Sequence, residues 1–375
     1  MKYTHGGDIY TTEYRLDFSA NICPFGANEA VRQAAIRGME MVTAYPDSQC
    51  RRLRQKLAET LKIPVEWIIA GNGAADVLFS LVLAEKPGKG MILAPAFQEY
   101  EQALRSVDSE VIVWKRNPEQ AFRLDEEFLV RLEKELKEGL GIVFFCTPDN
   151  PSGALILKDI LLQSLELCEK YYARMVVDES FWEFAFDREE ETMLPYIRQF
   201  QSLFLLRSFT KMYGIPGLRL GYGLCSDTDL LERMEEVRQP WSVSIPAQEA
   251  GIAALDETGW RRKVKSYVAE QRIWLAGELE SMGCKVYPSS ANYLLFYLDQ
   301  ELIPAMEPYG YHVAVNPTDL MLGLAGCHSN FLPMFRKVAE EEGVSLLKLI
   351  ADVSAIDRKN PPESLLREVA GKLEA

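Results

Sequence analysis

Seven short apolar runs separated by longer amphipathic stretches constrain this chain more than any other feature of its sequence. Between residues 66 and 225 the runs read EWIIAGNG, KGMILAPAF, SEVIVWKR, LGIVFFCTPDN, ARMVVDES, QSLFLLRSF and LRLGYGLC. The stretches between them, such as DVLFSLVLAEK, LDEEFLVRLEKELKEG and LKDILLQSLELCEKYY, have helical spacing. Strand-like runs that alternate with helix-like ones are typical of β–α–β units. The sequence therefore predicts an α/β fold with a mostly parallel sheet.

Length, charge and composition exclude several classes of protein. A chain of 375 residues can build a large core and two lobes. The net charge of −14 argues against nucleic-acid binding, which needs a basic surface. No apolar stretch opens the sequence, and no run of about 18 apolar residues follows, so neither a secretory signal nor a membrane span is expected.

The cysteines and histidines indicate the cellular compartment and argue against metal chemistry. The seven cysteines include no CxxC pair, a pattern that suits reduced thiols in a cytoplasmic protein. The three histidines show no zinc-binding spacing, so no metal site is expected.

Chemically useful groups follow four of the predicted strands. The first run ends in GNGAA (residues 71–75), where small residues precede an apolar helix whose N-terminus can bind an anion. The fourth ends in TPDNPSG (residues 147–153), the fifth in Asp178, and the sixth in Ser208 with Lys211 close behind. Each ending alone is compatible with a turn or a helix cap. Ligands of open parallel sheets, however, bind at the carboxyl ends of strands, where these four groups would meet.

Pyridoxal 5′-phosphate (PLP) is a cofactor that needs this whole set. Its aldehyde forms a Schiff base with a lysine. Its pyridine nitrogen needs a carboxylate, and its ring oxygen needs an amide donor. Its phosphate binds helix N–H groups, hydroxyls and an arginine. Arg219 lies eight positions after Lys211, beyond a Gly/Pro-rich bend that would return it to the same point.

The order GNG, PxF, NPSG, DES, SFTK and GLRLG resembles the fold-type I aminotransferases of classes I and II. The resemblance covers about residues 15–300, and it implies a seven-stranded, mostly parallel sheet in a large domain and a smaller α/β domain. By this resemblance we expect an N-terminal arm with part of the small domain over residues 1–44 and a large PLP-binding domain over 45–250. The C-terminal small domain would span 251–375, with an atypical tail from about 300.

The resemblance also implies the roles of individual residues. Lys211 would bind the cofactor aldehyde and Asp178 its pyridine nitrogen, which makes these two the predicted catalytic residues. Asn150 would contact the ring oxygen, and Phe97 would lie on the ring face. The remaining implied cofactor contacts are Gly73, Ala74, Ala75, Ser208, Arg219 and Tyr45. Tyr45 would reach the phosphate of a neighbouring subunit, which implies a homodimer.

Finer motifs resemble the threonine-phosphate decarboxylases of cobalamin biosynthesis. They are HGG at residues 5–7, LDFSANICPFG, QPWSVSIPAQ and ANYLLF. Phe181 agrees, since many aminotransferases carry at that position a tyrosine that donates to the ring oxygen. This resemblance implies decarboxylation of L-threonine O-3-phosphate, or L-serine O-phosphate, to an aminoalkyl phosphate for the cobalamin nucleotide loop. The implied substrate contacts are His5, Gly6, Gly7, Asn21 and Asn150.

Two other functions remain open. Histidinol-phosphate aminotransferases form a similar group and also act on an amino compound with a phosphate ester. A PLP-binding protein with impaired turnover is the other, because the family arginine that binds the substrate carboxylate is missing after ANYLLF. The arginines beyond that motif are Arg336, Arg358 and Arg367. Serine and threonine phosphate differ by one methyl group, which contributes about 1–3 kcal/mol to binding in a pocket. A difference this small needs no recognisable sequence motif, so the sequence does not distinguish the two substrates.

Overall fold

A computed structural model gives the structure of most of the chain. It describes residues 6–7, 10, 20–185, 192–281, 283–297, 341 and 367, and the backbone of residues 321–325. The predicted contact His5 and the late arginines Arg336 and Arg358 lie outside the described residues.

All seven predicted strands form, and together they make one sheet. They are β1 (Ile68–Gly71), β2 (Lys89–Ala94), β3 (Glu110–Lys115), β4 (Ile142–Cys146), β5 (Arg174–Asp178), β6 (Leu203–Ser208) and β7 (Gly221–Leu224). Their order in the sheet is β1-β7-β6-β5-β4-β2-β3. Only β7 is antiparallel to its neighbours β1 and β6, while the other pairs are parallel. The predicted α/β fold with a mostly parallel seven-stranded sheet is confirmed.

Helices connect and cover these strands. They are α1 (Glu29–Met39), α2 (Arg51–Leu61), α3 (Ala74–Glu85), α4 (Gln98–Arg105), α5 (Glu126–Lys137), α6 (Lys158–Lys170), α7 (Thr228–Val237), α8 (Ile245–Asp256) and α9 (Thr258–Ser281). α5 shows how the sequence sets them. The Asp125 carboxylate accepts hydrogen bonds from two N–H groups of its first turn, and Phe128, Leu132 and Leu136 recur on one buried face. None of the helices in the described part of the chain is both long enough and apolar enough to cross a membrane.

The sheet is buried on both faces, which explains why its strands read as continuous apolar runs. Along β4, Val143 and Phe145 pack into one core cluster, while Ile142 and Phe144 pack into a second cluster on the opposite face. A strand covered on both sides has little use for polar residues along its length. Polar side chains are therefore left to the strand ends, where they can reach a ligand.

A second, three-stranded sheet follows α9. It contains β8 (Lys285–Val286), β9 (Tyr293–Tyr297) and β10 (Met321–Ala325), in the order β10-β9-β8 with antiparallel pairing. β10 belongs to the segment that the sequence marks as an atypical tail, yet its backbone pairs fully with β9. The division of the chain at residues 44 and 250 stays a prediction.

Candidate active site

The register of the large sheet brings the predicted strand ends to one edge. Gly71 on β1 and Ser208 on β6 both pair with Gly221, the first residue of β7. Asp178, the last residue of β5, pairs with Cys146 at the end of β4. Because β7 runs opposite to its neighbours, its first residue lies at their carboxyl ends. The residues that lead into β7 therefore join the other strand ends.

The start of α3 and Arg219 form the predicted anion cradle. Gly73 precedes the helix with a φ of 88°, and no side chain caps the first turn. A Cβ atom on Gly73 would lie 2.5 Å from the Arg219 guanidinium, and one on Gly221 would lie 2.3 Å from the Ala74 nitrogen. Glycine at both positions lets the guanidinium and β7 approach the helix start. Ala74 and Ala75 form the first turn, so helix N–H groups and one cation meet here.

Lys211 lies just beyond β6, with its amine 5.6 Å from the centre of the Phe181 ring. Burial lowers the pKa of this amine below its ordinary value. The positive charge of Arg219 lowers the pKa further, while Asp178 opposes the shift. Ser208 and Thr210 share a hydroxyl–hydroxyl hydrogen bond of 2.7 Å between β6 and the lysine. The arrangement favours a neutral, nucleophilic amine near hydroxyl groups.

Asp178 is a buried carboxylate with two hydrogen-bond donors. Its Oδ1 accepts from the Ser180 N–H at 2.8 Å, and its Oδ2 accepts from the Tyr100 hydroxyl at 2.8 Å. Burial raises the pKa of Asp178, whereas hydrogen bonds from the Ser180 side chain, from Tyr100 and from the Ser180 N–H lower it, together with the charge of Lys211. The hydrogen bonds stabilise the ionised form of this carboxylate, although it is buried away from water.

Sequence reasoning missed Tyr100, although a signal was present. Phe97 is the residue before α4, and Tyr100 follows three positions later, a spacing that places two side chains on one face of a helix. The two rings meet edge to face with centroids 5.6 Å apart. The aromatic predicted for the cofactor ring and the hydroxyl that contacts Asp178 thus come from the same turn.

The turn that carries Asn150 is fixed by a buried ion pair that the sequence did not predict. Arg116, just after β3, donates to Asp149 at 2.8 Å, and both side chains are less than 5% exposed. Asp149 also accepts from the N–H and the hydroxyl of Ser152, while its carbonyl accepts from the Tyr293 hydroxyl at 2.7 Å. The pair joins residues 33 positions apart, so no local spacing announces it.

The segment that contains Asn21 borders the lysine. The Cys23 N–H donates to the Lys211 carbonyl at 2.9 Å, and the Asn292 amide donates to the Ile22 carbonyl at 3.2 Å. The Asn292 side chain is buried, and its Oδ1 has no hydrogen-bond partner among the described residues. The segment at residues 22–23 is therefore held between the Lys211 backbone and the Asn292 amide.

The predicted N-terminal contacts are described only in part. Gly7 has a φ of 81°, and a Cβ atom on it would lie 3.7 Å from the Ala20 side chain, which precedes Asn21. Gly6 is exposed, and His5 falls outside the described residues.

Tyr45 and Arg207 have partners other than the residues that surround Lys211. Tyr45 is 80% exposed and stacks on Trp241, with ring centroids 4.8 Å apart. Arg207 donates to the buried Glu179 at 2.6 Å and lies over Trp182. The positive charge of Arg207 is therefore paired with Glu179 inside the protein.

The residues present fit PLP. The cofactor needs an accessible amine, a buried carboxylate and an anion site, and the sheet edge supplies these as Lys211, Asp178 and the start of α3 beside Arg219. The close approach of Arg219 to Gly73 is the most specific part of the fit, because a side chain at that glycine would displace the guanidinium.

Comparisons with known proteins agree with this arrangement. The family described as aminotransferase class I and II matches residues 15–321. The threonine-phosphate decarboxylase of Salmonella typhimurium is 33% identical over 306 residues, which cover 79% of this chain and 82% of that protein. Histidinol-phosphate aminotransferase 2 of Archaeoglobus fulgidus is 31% identical over 291 residues, covering 76% and 79%. The fold matches the Sinorhizobium meliloti histidinol-phosphate aminotransferase in complex with pyridoxal-5′-phosphate, with a TM-score of 0.72, 20% identity, and 82% and 85% of the two chains covered.

Proposed function

The chain belongs to the class I and II aminotransferases, which depend on PLP, and from that premise we propose that it decarboxylates an O-phosphorylated amino acid. The substrate would be L-threonine O-3-phosphate or L-serine O-phosphate, and the product an aminoalkyl phosphate for the cobalamin nucleotide loop. Phe181 carries the proposal, because it borders the Lys211 amine with a ring that has no hydroxyl to offer a cofactor oxygen. The similarity to the Salmonella typhimurium decarboxylase supports the same choice.

The proposed cofactor contacts follow from the sheet edge. Lys211 would bind the aldehyde and Asp178 would hold a proton on the pyridine nitrogen. Asn150 would donate to the ring oxygen, and Phe97 would cover the ring face. The phosphate would bind to the first turn of α3, residues 73–75, together with Ser208 and Arg219. These groups supply the N–H, hydroxyl and guanidinium donors that a phosphate prefers.

The chain would direct the chemistry through contacts to the substrate. When bound, PLP withdraws electrons from the substrate Cα, so that one bond at that carbon can break. Contacts of the protein with the carboxylate and the phosphate of the substrate would select which bond breaks. Lys211, in its protonated form, would donate to Cα the proton that replaces the departing carboxylate. Its lowered pKa makes the proton easier to give up than that of an ordinary lysine.

The phosphate of the substrate would bind on the N-terminal side of the site. His5, Gly6, Gly7 and Asn21 are the proposed contacts there, with Asn150 on the opposite side. Two observations support this placement. The segment at residues 20–23 borders Lys211, and Gly7 approaches Ala20 with the positive φ that a compact glycine turn allows.

A carbon dioxide assay tests the proposal. The purified holoenzyme is incubated with O-phospho-L-threonine, without any keto acid, and both carbon dioxide and the aminoalkyl phosphate are measured. We expect both products in equal amounts, and none with the Lys211→Ala variant. O-phospho-L-serine, run in parallel, shows which of the two substrates is preferred.

Histidinol-phosphate aminotransferase activity is the second candidate, favoured by the similarity to the Archaeoglobus fulgidus protein. Histidinol phosphate with 2-oxoglutarate would then yield glutamate, and no carbon dioxide would be released from phosphothreonine. If the bound cofactor persists and neither reaction occurs, the protein binds PLP with impaired turnover, which is the third reading of the sequence.

A homodimer completes the proposal. Large apolar side chains are exposed from the second half of α1 to the start of α2, and from the last residue of α7 onward, and the stacking of Tyr45 on Trp241 joins the two segments. They are Ile36, Met39, Met41, Val42, Tyr45, Val237 and Trp241. A second subunit packed on this patch would cover Tyr45. The Tyr45 hydroxyl would then contact the cofactor phosphate bound in that second subunit. Light scattering should give a mass of about twice 42.5 kDa, and Tyr45→Arg should lower it towards a monomer.

We further propose that the protein works in the cytoplasm. The six described cysteines are all free and buried, as expected for a chain that folds under reducing conditions. Cell fractionation of a tagged chain tests the location.

A further inference from the structure

The Tyr100 hydroxyl is placed to act on the proposed catalytic carboxylate. It donates to Asp178 Oδ2 at 2.8 Å, and both residues are less than 5% exposed. The Tyr100 ring is fixed on two sides. It stacks on Phe144 with an interplanar angle of 7° and meets Phe97 edge to face. These two aromatic contacts restrict the orientation of the ring and therefore of its hydroxyl.

Each carboxylate oxygen of Asp178 accepts a hydrogen bond from a different group. The Ser180 N–H donates to Oδ1 and the Tyr100 hydroxyl donates to Oδ2, while the Ser180 side chain and the charge of Lys211 also stabilise the ionised carboxylate. The Cys146 thiol, on the neighbouring strand, lies within hydrogen-bonding reach of the same hydroxyl. Burial raises the pKa of both Tyr100 and Cys146, so both stay protonated and neutral.

We propose that Tyr100 is a positioning residue that keeps Asp178 ionised and aimed, and thereby keeps the proton on the pyridine nitrogen of PLP. This inference rests on the proposed role of Asp178. A carboxylate in a dry site favours its protonated form, and each donated hydrogen bond favours the ionised form. Without the hydroxyl, the carboxyl group competes better for the proton that the cofactor nitrogen should hold.

The alternative is that Tyr100 only fills space between Phe97 and Phe144. Tyr100→Phe separates the two roles, because phenylalanine keeps the stacked ring and removes only the hydroxyl. A space-filling residue would leave the protonation of the cofactor unchanged. A positioning residue would change it even if the protein folds and binds PLP normally.

The experiment reconstitutes each protein with nitrogen-15-labelled PLP and measures the chemical shift of the pyridine nitrogen against pH. This shift reports protonation directly and needs no turnover. For Tyr100→Phe we expect the protonation equilibrium of the nitrogen to fall about tenfold, which corresponds to about 1.4 kcal/mol. Tyr171→Phe is the matched control, because Tyr171 donates to Glu133 at 2.9 Å on α5 and α6, outside the proposed site.

Asp178→Asn separates failure of the inference from failure of the proposed function. If Asp178→Asn lowers nitrogen protonation but Tyr100→Phe matches the wild type, Tyr100 is only structural and the inference is overturned. If neither variant changes the signal, Asp178 does not face the pyridine nitrogen, and both the inference and that assignment are overturned. A loss in Tyr171→Phe equal to that in Tyr100→Phe would also overturn the inference, since the effect would not be specific to the site.

Discussion

At the scale of single residues, the surroundings of Lys211 predict how the protein captures its cofactor. Burial and the charge of Arg219 lower the pKa of the amine from the ordinary lysine value of 10.5. Only the neutral amine attacks an aldehyde, so the rate of PLP binding to the apoprotein should rise with pH and level off below 10.5. Stopped-flow absorbance of the lysine-bound cofactor measures this rate. A rate that still rises steeply above 10.5 would mean that the amine is not perturbed.

Lys211→Ala should remove covalent attachment of PLP altogether. After borohydride reduction, mass spectrometry should find the adduct on Lys211 in the wild type and no adduct in the variant. Lys170→Ala is a suitable control, since Lys170 is an exposed lysine paired with Glu133. An adduct on another lysine of the Lys211→Ala variant would show that the assignment is wrong.

Asp178→Asn should keep PLP bound and lower turnover by at least about 100-fold, the lower end of what acid–base groups contribute. An amide cannot take a negative charge, so it cannot hold a proton on the pyridine nitrogen. Tight PLP binding is expected to persist because the proposed phosphate contacts lie on α3 and near β7, apart from Asp178. Cofactor content and the rate of carbon dioxide release are measured on the same sample. Near-normal turnover would assign the proton to another group.

The residue scale also shows where sequence reasoning reached its limit. Lys211 and Asp178 were predicted because each stands at the end of an apolar run, and Arg219 because a Gly/Pro-rich bend follows Lys211. The contacts of Tyr100 with Asp178 and of Arg116 with Asp149 join residues 78 and 33 positions apart. Such pairs depend on how strands and helices pack, and no local spacing encodes them.

At the scale of elements, the pair of Arg116 and Asp149 links the end of β3 to the turn that presents Asn150. Breaking a buried ion pair leaves an unpaired charge and costs about 3–5 kcal/mol. We expect Arg116→Met to lower the free energy of unfolding by this amount in urea titration. Adding Asp149→Asn should restore part of it, because the second change removes the stranded charge.

A surface ion pair provides the control for this prediction. Arg105 and Glu101 lie 2.6 Å apart on α4, with their side chains 53% and 36% exposed. Arg105→Met should cost less than about 1 kcal/mol, since solvent screens exposed pairs. Equal losses for the two arginines would contradict the view that burial makes the Arg116 pair important for the turn.

The strands themselves were predictable, but their directions were not. Apolar runs such as GIVFF and LFLLR indicate buried strands because both faces are covered, yet a run reads the same in either direction. The antiparallel placement of β7 appears only in the hydrogen-bond register. It matters for the site, because this reversal places Arg219 at the carboxyl edge of the other strands.

At the scale of the whole molecule, the fold and the cofactor were both predicted from the apolar runs and the motifs at their ends. The residues that bind the substrate do not follow from that pattern. All the proposed contacts with PLP come from residues 45–219, where apolar runs and strand-end motifs are strong. The N-terminal arm and the residues after about 300 lack such clear motifs in their sequence. Most of the residues after 297 lie outside the described part of the chain. Specificity for the substrate carboxylate therefore cannot be assigned by the same reasoning.

The last prediction concerns that carboxylate and the affinity for substrate. Three arginines at or near the large sheet already have partners or a proposed role: Arg116 pairs with Asp149, Arg207 pairs with Glu179, and Arg219 is a proposed contact of the cofactor phosphate. Arg367, one of the three late arginines, pairs with Glu341. A forked arginine–carboxylate pair contributes about 1.5–3 kcal/mol per charged hydrogen bond, so its loss weakens binding by roughly tenfold to a hundredfold or more.

We therefore expect tight binding of PLP together with weak binding of the amino-acid substrate. The measurement is a titration of the holoenzyme with O-phospho-L-threonine, followed by the absorbance of the bound cofactor, beside a separate measurement of PLP affinity. Saturation only at millimolar substrate, with PLP retained through gel filtration, would agree. Saturation at micromolar substrate would show that an arginine reaches the carboxylate after all. Arg336→Ala and Arg358→Ala would then identify it, because the residue responsible should lose substrate affinity without losing PLP.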